Sequence, residues 1–133
     1  MNGNVLRLLF ASLVLVCLAM PAAAHHSFAA AFDNEKPVTV KGVLTEIRLE
    51  NPHSWFYVEV KDASGKTERW AFEAGTPSGM IRNGFKPNTI KTGTEVTVKA
   101  IHARDAAQNM GLLREIITPD GKSYATFGTS GDK

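Results

Sequence analysis

The sequence predicts a mainly β protein, a small five-stranded OB-like antiparallel barrel with one short helix between strands three and four. Three observations predict this fold class. The first predicted strand changes its apolar parity at Gly42, and such a bend lets one strand serve both halves of a barrel. The next two strands are joined as a hairpin by the short loop 62–66. The helix signal follows the third strand, as in OB barrels. An open β-sandwich is the alternative that the same pattern allows.

Alternating apolar and polar residues predict the strands. The first strand, Val38 to Leu49, has Val38 and Val40 on one face, and we expect Val43, Ile47 and Leu49 to face inward after the bend. The alternation is strongest in the second strand, where Phe56, Val58 and Val60 share one face. The remaining predicted strands are Thr67–Ala74, Thr94–Ala103, Gly111–Thr118 and a short last strand, Ser123–Phe127.

A short helix is predicted after the third strand. Thr76 is a suitable N-cap, and Pro77 suits the first helical position because its missing N–H is not needed there. Gly84 is placed to end the segment in a left-handed conformation.

The sequence begins with the three parts of a cleavable signal peptide: a basic start, an apolar run at 8–20 and small residues at 22–24. This run is shorter than the roughly 20 apolar residues of a membrane-spanning helix, so we expect cleavage near Ala24 and no stable membrane anchor. The mature protein is then expected in the periplasm or secreted. The expected division is a signal peptide at 1–24, a lead-in segment at 25–36, the barrel at 37–127 and a polar tail at 128–133.

Composition excludes several classes of protein. The chain has 15 Lys and Arg against 13 Asp and Glu, without a basic run or stripe, which argues against nucleic-acid binding. The one cysteine, Cys17, lies in the expected signal peptide, so we expect no disulfide in the mature domain. The sequence has no Gly-x-Ser-x-Gly elbow, no HExxH and no Gly-rich phosphate loop. We therefore expect a binding domain rather than an enzyme.

Four groups of residues together resemble a family of small exported bacterial proteins of unknown function. They are an HHSF segment at 25–28, a KPV segment at 36–38, an NPH turn at 51–53 followed by Trp55, and a GTP segment at 75–77 with a later RNG at 82–84. The resemblance extends over nearly the whole expected mature chain. It implies an exported, barrel-like β domain, and it implies no activity.

Histidines are the residues most able to carry chemistry. If cleavage follows Ala24, the α-amine and imidazole of His25 can chelate one metal ion, and His26 or His53 can add a third nitrogen. Such a donor set suits Cu(II), the tightest-binding divalent ion of the first transition row. If cleavage follows Ala23, a histidine stands third from the amine, a spacing that binds Cu(II) or Ni(II) through backbone amides. The alternative is that His25 and His26 form a solvated tail without metal.

A second candidate site lies at the loop between strands one and two, which borders the usual ligand face of OB barrels. His53 is presented there by the Asn51–Pro52 turn, or else it serves the turn and packs beside Trp55. Trp55 and Tyr57 are expected on the outer face of strand two. They are able to contact a periplasmic protein, peptide or glycan without metal, or else the lead-in segment covers them through Phe28 and Phe32.

Overall fold

A computed structural model of the protein describes residues 30–126. The chain divides after Ala31 into two units, and the six strands found among the described residues lie in the second. The strand β1 begins earlier than the expected Val38. The elements are β1 (Phe32–Arg48), β2 (Trp55–Lys61), β3 (Thr67–Glu73), α1 (Pro77–Arg82), β4 (Glu95–Ala103), β5 (Met110–Ile117) and β6 (Ser123–Ala125).

The strands form a closed barrel, which confirms the predicted fold class. Four antiparallel neighbours give the order β3-β2-β1-β4-β5, and a parallel pairing of β3 with β5 closes the ring. This is the strand order of an OB barrel, with α1 between β3 and β4 as expected. An open sandwich would lack the closing pair. β6 extends the sheet by pairing with the far end of β5.

The bend in β1 lies at a different residue from the one predicted. The register against β2 shifts between Leu44 and Glu46, so the bulge is at Thr45 and not at Gly42. Leu44 is therefore fully buried, while Val43 is exposed, and the expectation that Val43 faces inward is wrong. Gly42 serves close packing instead, because a Cβ there would lie 2.2 Å from the carbonyl oxygen of Glu59.

The core lies inside the barrel, on the face that the alternation predicts. Phe56, Val58 and Phe72 are fully buried. Trp70 is partly buried and stacks on Phe72, with ring centroids 5.7 Å apart. Val96, Val98 and Ala100 of β4 complete the predicted set. These inward side chains supply most of the apolar burial that stabilises the fold.

The segment around α1 closes one end of the barrel. Thr76 caps the helix by accepting a hydrogen bond from the Gly79 N–H at 3.1 Å. Gly84 follows with φ of +89°, the left-handed conformation predicted for the helix end. Met80 and Phe85 are buried against the core. The helix thus covers apolar side chains that would otherwise face solvent.

Candidate functional site

The loop from β1 to β2 is held firmly at its exit. Its turn contains a cis peptide bond between Asn51 and Pro52. Ser54 then forms two backbone hydrogen bonds with the chain after β3: its N–H donates to Gly75 at 3.0 Å, and its carbonyl accepts from Ala74 at 2.8 Å. His53, which directly precedes Ser54, is therefore fixed beside the end of β3.

His53 forms a short polar contact with a residue at that end of β3. Its Nδ1 lies 2.6 Å from Oε1 of Glu73, and the two side chains are 28% and 15% exposed. Burial raises the pKa of the Glu73 carboxyl above its usual value, and the neighbouring His53 partly opposes this effect. His53 is thus a half-buried, oriented imidazole, and Glu73 is a site residue that the sequence reasoning missed.

A signal for Glu73 was present in the sequence. It is an acidic residue at the end of the otherwise apolar segment Trp70–Phe72. The β2–β3 hairpin pairs Trp55 directly with Glu73, which puts both side chains on the outer face next to the loop. Counting the hairpin register from its loop would have brought Glu73 to the side of His53.

Trp55 and Tyr57 lie on the outer face of β2, as predicted, and both are partly exposed. The ring of Tyr57 is covered by two guanidinium groups: the Cζ of Arg69 lies 4.2 Å from its centroid and that of Arg48 lies 5.1 Å from it. Glu46 joins these arginines, with one carboxylate oxygen 2.6 Å from Arg48 Nε and the other 2.6 Å from Arg69 Nη2. We call these four residues the guanidinium network: Glu46, Arg48, Tyr57 and Arg69.

The expectation that Phe32 covers these aromatic residues is wrong. Phe32 is buried at the first residue of β1, where it pairs with Ala103, whereas Trp55 pairs with Arg48 at the last residue of that 17-residue strand. Arginine side chains cover Tyr57 instead, because their stems reach across from the neighbouring strands. Phe28, the other expected cover, lies outside the described residues.

The four candidate residues share one surface, formed by the β1–β2 loop and the outer face of β2: Asn51, His53, Trp55 and Tyr57. His25 and His26 lie outside the described residues. Within residues 30–126 no group of three or more His, Cys, Asp or Glu side chains is arranged to hold a metal ion. His102 has a different setting, with its Nδ1 2.8 Å from the Ala103 carbonyl and its ring edge-on to Trp70.

The fold and this site define a small OB-like β-barrel with a carboxylate-paired histidine at the loop between its first two strands. The chain belongs to DUF6152, a family of unknown function whose sequence profile matches residues 12–113. No curated protein and no solved structure shows a significant match to the chain. In the part of the chain that the structure describes, helices long and apolar enough to cross a membrane are absent.

Proposed function

We propose that this protein is an exported, non-enzymatic binding domain that holds Cu(II) through His25, His26 and His53. The observation that carries the proposal is the 2.6 Å contact between His53 Nδ1 and Glu73. A histidine that binds a metal through one ring nitrogen characteristically donates its other N–H to a carboxylate, which fixes the ring and raises its basicity. In the proposed site, Glu73 plays that part for His53.

The proposed donor set consists of nitrogen atoms. Processing after Ala24 supplies the α-amine and imidazole of His25, and His26 lies next to them in the chain. His53 supplies Nε2, since Nδ1 is engaged by Glu73. Imidazole and amine nitrogens bind Cu(II) more tightly than the other divalent ions of the first transition row. Processing after Ala23 retains copper binding but moves the principal donors to the amine, the backbone amides and the third residue.

The test begins with the mature N-terminus, determined by mass spectrometry. Cu(II) is then titrated into the processed protein by calorimetry, and the bound ion is examined by electron paramagnetic resonance. If processing follows Ala24, we expect sub-micromolar affinity that collapses in His25→Ala and falls by about 10- to 100-fold in Glu73→Gln, because the glutamine no longer orients His53 as a carboxylate does. His102→Gln, which removes an imidazole from β4, is the matched control.

Two results would overturn the copper proposal. One is a purified protein that retains residues 1–24, because the chelating amine would then be absent. The other is weak copper binding that is the same in His25→Ala, Glu73→Gln and His102→Gln. Circular dichroism of each variant separates loss of affinity from loss of fold.

A metal-free interaction module is the second candidate function, and the guanidinium network favours it. Arg48 and Arg69 are both paired with Glu46 and lie over Tyr57, beside the partly exposed Trp55. Arginine and aromatic side chains are enriched in recognition surfaces. A periplasmic protein, peptide or glycan bound at this face would be lost in Trp55→Ala and unaffected by a copper chelator. Partner binding that is lost on addition of the chelator but retained in Trp55→Ala would favour the metal site.

A further inference from the structure

The surface that follows β3 differs in charge from the rest of the barrel. Between Glu73 and Glu95 the sequence has no acidic residue, but it contains Arg82, Lys86 and Lys91. All three of these side chains are exposed. Within residues 30–126 none of them forms an ion pair, whereas most of the other lysines and arginines in that range have an acidic partner. This surface therefore has uncompensated positive charge.

A cleft of about 400 Å³ opens beside one of these residues, Lys91. Lys91 lines it from the loop between α1 and β4, and Lys122 lines it from the turn between β5 and β6. Asn88, Thr89 and Thr94 add polar side chains to the lining. The volume lies at the small end of the roughly 300–1,000 Å³ that small-molecule sites occupy.

The acidic residue of the lining, Asp120, is neutralised by its own turn. Its carboxylate accepts hydrogen bonds from Thr118 Oγ1 at 2.5 Å and from the Lys122 N–H at 3.3 Å, and it lies 3.2 Å from Lys122 Nζ. The hydrogen bond from Thr118 is the main reason that the pKa of Asp120 is lowered. The carboxylate is therefore ionised, and its charge is already paired within the turn. The charge of Lys91 remains without a partner in the lining.

One wall of the cleft is rigid. Tyr124 packs edge-on against Phe85 with ring centroids 5.9 Å apart, and Phe85 packs edge-on against Phe56 at 5.4 Å. This chain of aromatic contacts connects the cleft with the buried core. A preformed wall reduces the entropy that is lost when a ligand binds.

We propose that this cleft binds a phosphate group, with Lys91 supplying the charge and the threonine and asparagine side chains supplying hydrogen bonds. Positive charge in a concave surface raises the local concentration of anions. Two kinds of ligand carry such a phosphate group, and we call them its two sources: a soluble phosphorylated small molecule, and an anionic phospholipid through its headgroup. The proposal does not depend on copper binding, because it uses none of the histidines.

The test is a titration of the isotopically labelled protein with inorganic phosphate, followed by amide chemical shifts. We expect saturable shifts confined to residues 88–94 and 118–124. Lys91→Gln should weaken binding by about fivefold, as for one partly exposed charge pair. Lys61→Gln is the matched control, because Lys61 is exposed and lies outside the cleft lining.

Sedimentation with vesicles distinguishes the two sources. Binding to phosphatidylglycerol vesicles but not to phosphatidylcholine vesicles, lost in Lys91→Gln and retained in Lys61→Gln, identifies the headgroup as the source. Shifts with phosphate but no vesicle binding identify a soluble ligand. Equal weakening by the two lysine variants, or no binding in either assay, overturns the proposal.

Discussion

Two outer surfaces of this barrel use their charged residues in opposite ways. On the sheet of β1, β2 and β3, Arg48 and Arg69 are both bonded to Glu46 and both cover Tyr57. On the surface after β3, Lys91 has no acidic partner among residues 30–126. On the first surface these arginines are paired with a carboxylate of the same sheet, whereas on the second surface the positive charge of Lys91 is left unpaired within that range.

The difference shows why a count of charges is a poor guide to this molecule. The chain as a whole is close to neutral, with 15 basic and 13 acidic residues. The acidic residues are unevenly distributed, however, since none lies between Glu73 and Glu95. A nearly balanced chain therefore folds into a barrel with one locally positive surface. Screening at physiological ionic strength limits the field of that surface to about 8 Å.

The largest expected effect concerns the aromatic residues beneath the two surfaces. Phe85→Ala should lower the free energy of unfolding by about 3–5 kcal/mol, because it removes a fully buried ring and leaves a cavity. Tyr57→Ala should cost only about 1 kcal/mol, because that ring contacts half-exposed guanidinium groups. Urea unfolding of both variants measures the difference. Equal losses would mean that the outer face of β2 is as important to stability as the core.

A smaller effect is expected at Ser54, the last residue of the loop between β1 and β2. Ser54 is fully buried, and its Oγ has no hydrogen-bond partner within the described residues. Ser54→Ala should therefore raise the free energy of unfolding by about 1 kcal/mol, because it removes an unsatisfied polar atom. The buried Thr126 is the control, since its Oγ1 donates to the Leu113 carbonyl at 2.6 Å, and Thr126→Val should be destabilising. A less stable Ser54→Ala protein would contradict this account.

The smallest expected effect is the pH dependence of the guanidinium network. The hydrogen bond from Arg48 is the main reason that the pKa of Glu46 lies below its usual value of 4.5, and Arg69 adds to the effect. The stabilisation that Glu46 contributes is therefore present above the usual pKa and is lost as pH falls through the lowered one. The difference in melting temperature between the protein and Glu46→Gln should shrink on acidification. Because exposed ion pairs contribute little, the difference is small at neutral pH.

The comparison for Glu46→Gln is Glu35→Gln, another exposed glutamate of β1 that has no ion pair within residues 30–126. It accounts for the change of net charge alone. A pH dependence of the same size in both variants would show that the network around Tyr57 adds nothing.

The sequence predicted the barrel because its strands have one apolar face each. Phe56 and Val58 alternate with residues whose side chains face outward. Such alternation predicts directly which face of a strand is buried. The position of the bend in β1 could not be predicted from the alternation of residues. Gly42 looked like a bulge, but a glycine is equally required where two backbones approach closely, and here the carbonyl of Glu59 occupies that space.

The site was predicted only in part, for a similar reason. Asn51, His53, Trp55 and Tyr57 are close in sequence, so a turn and an alternating strand were enough to bring them together. Glu73 and Arg69 come from the next strand, and their partners depend on the hairpin register. The uncompensated charge of Lys91 depends on which acidic residues come within a few ångströms, and this arises from tertiary packing alone.

The division of β1 between two partners has a consequence for how the molecule comes apart. Residues of its first part pair with β4, residues of its second part pair with β2, and Val43 pairs with both. Neither half of the barrel therefore keeps a complete set of strands when the other opens. Unfolding should accordingly occur as one cooperative transition without a stable half-barrel.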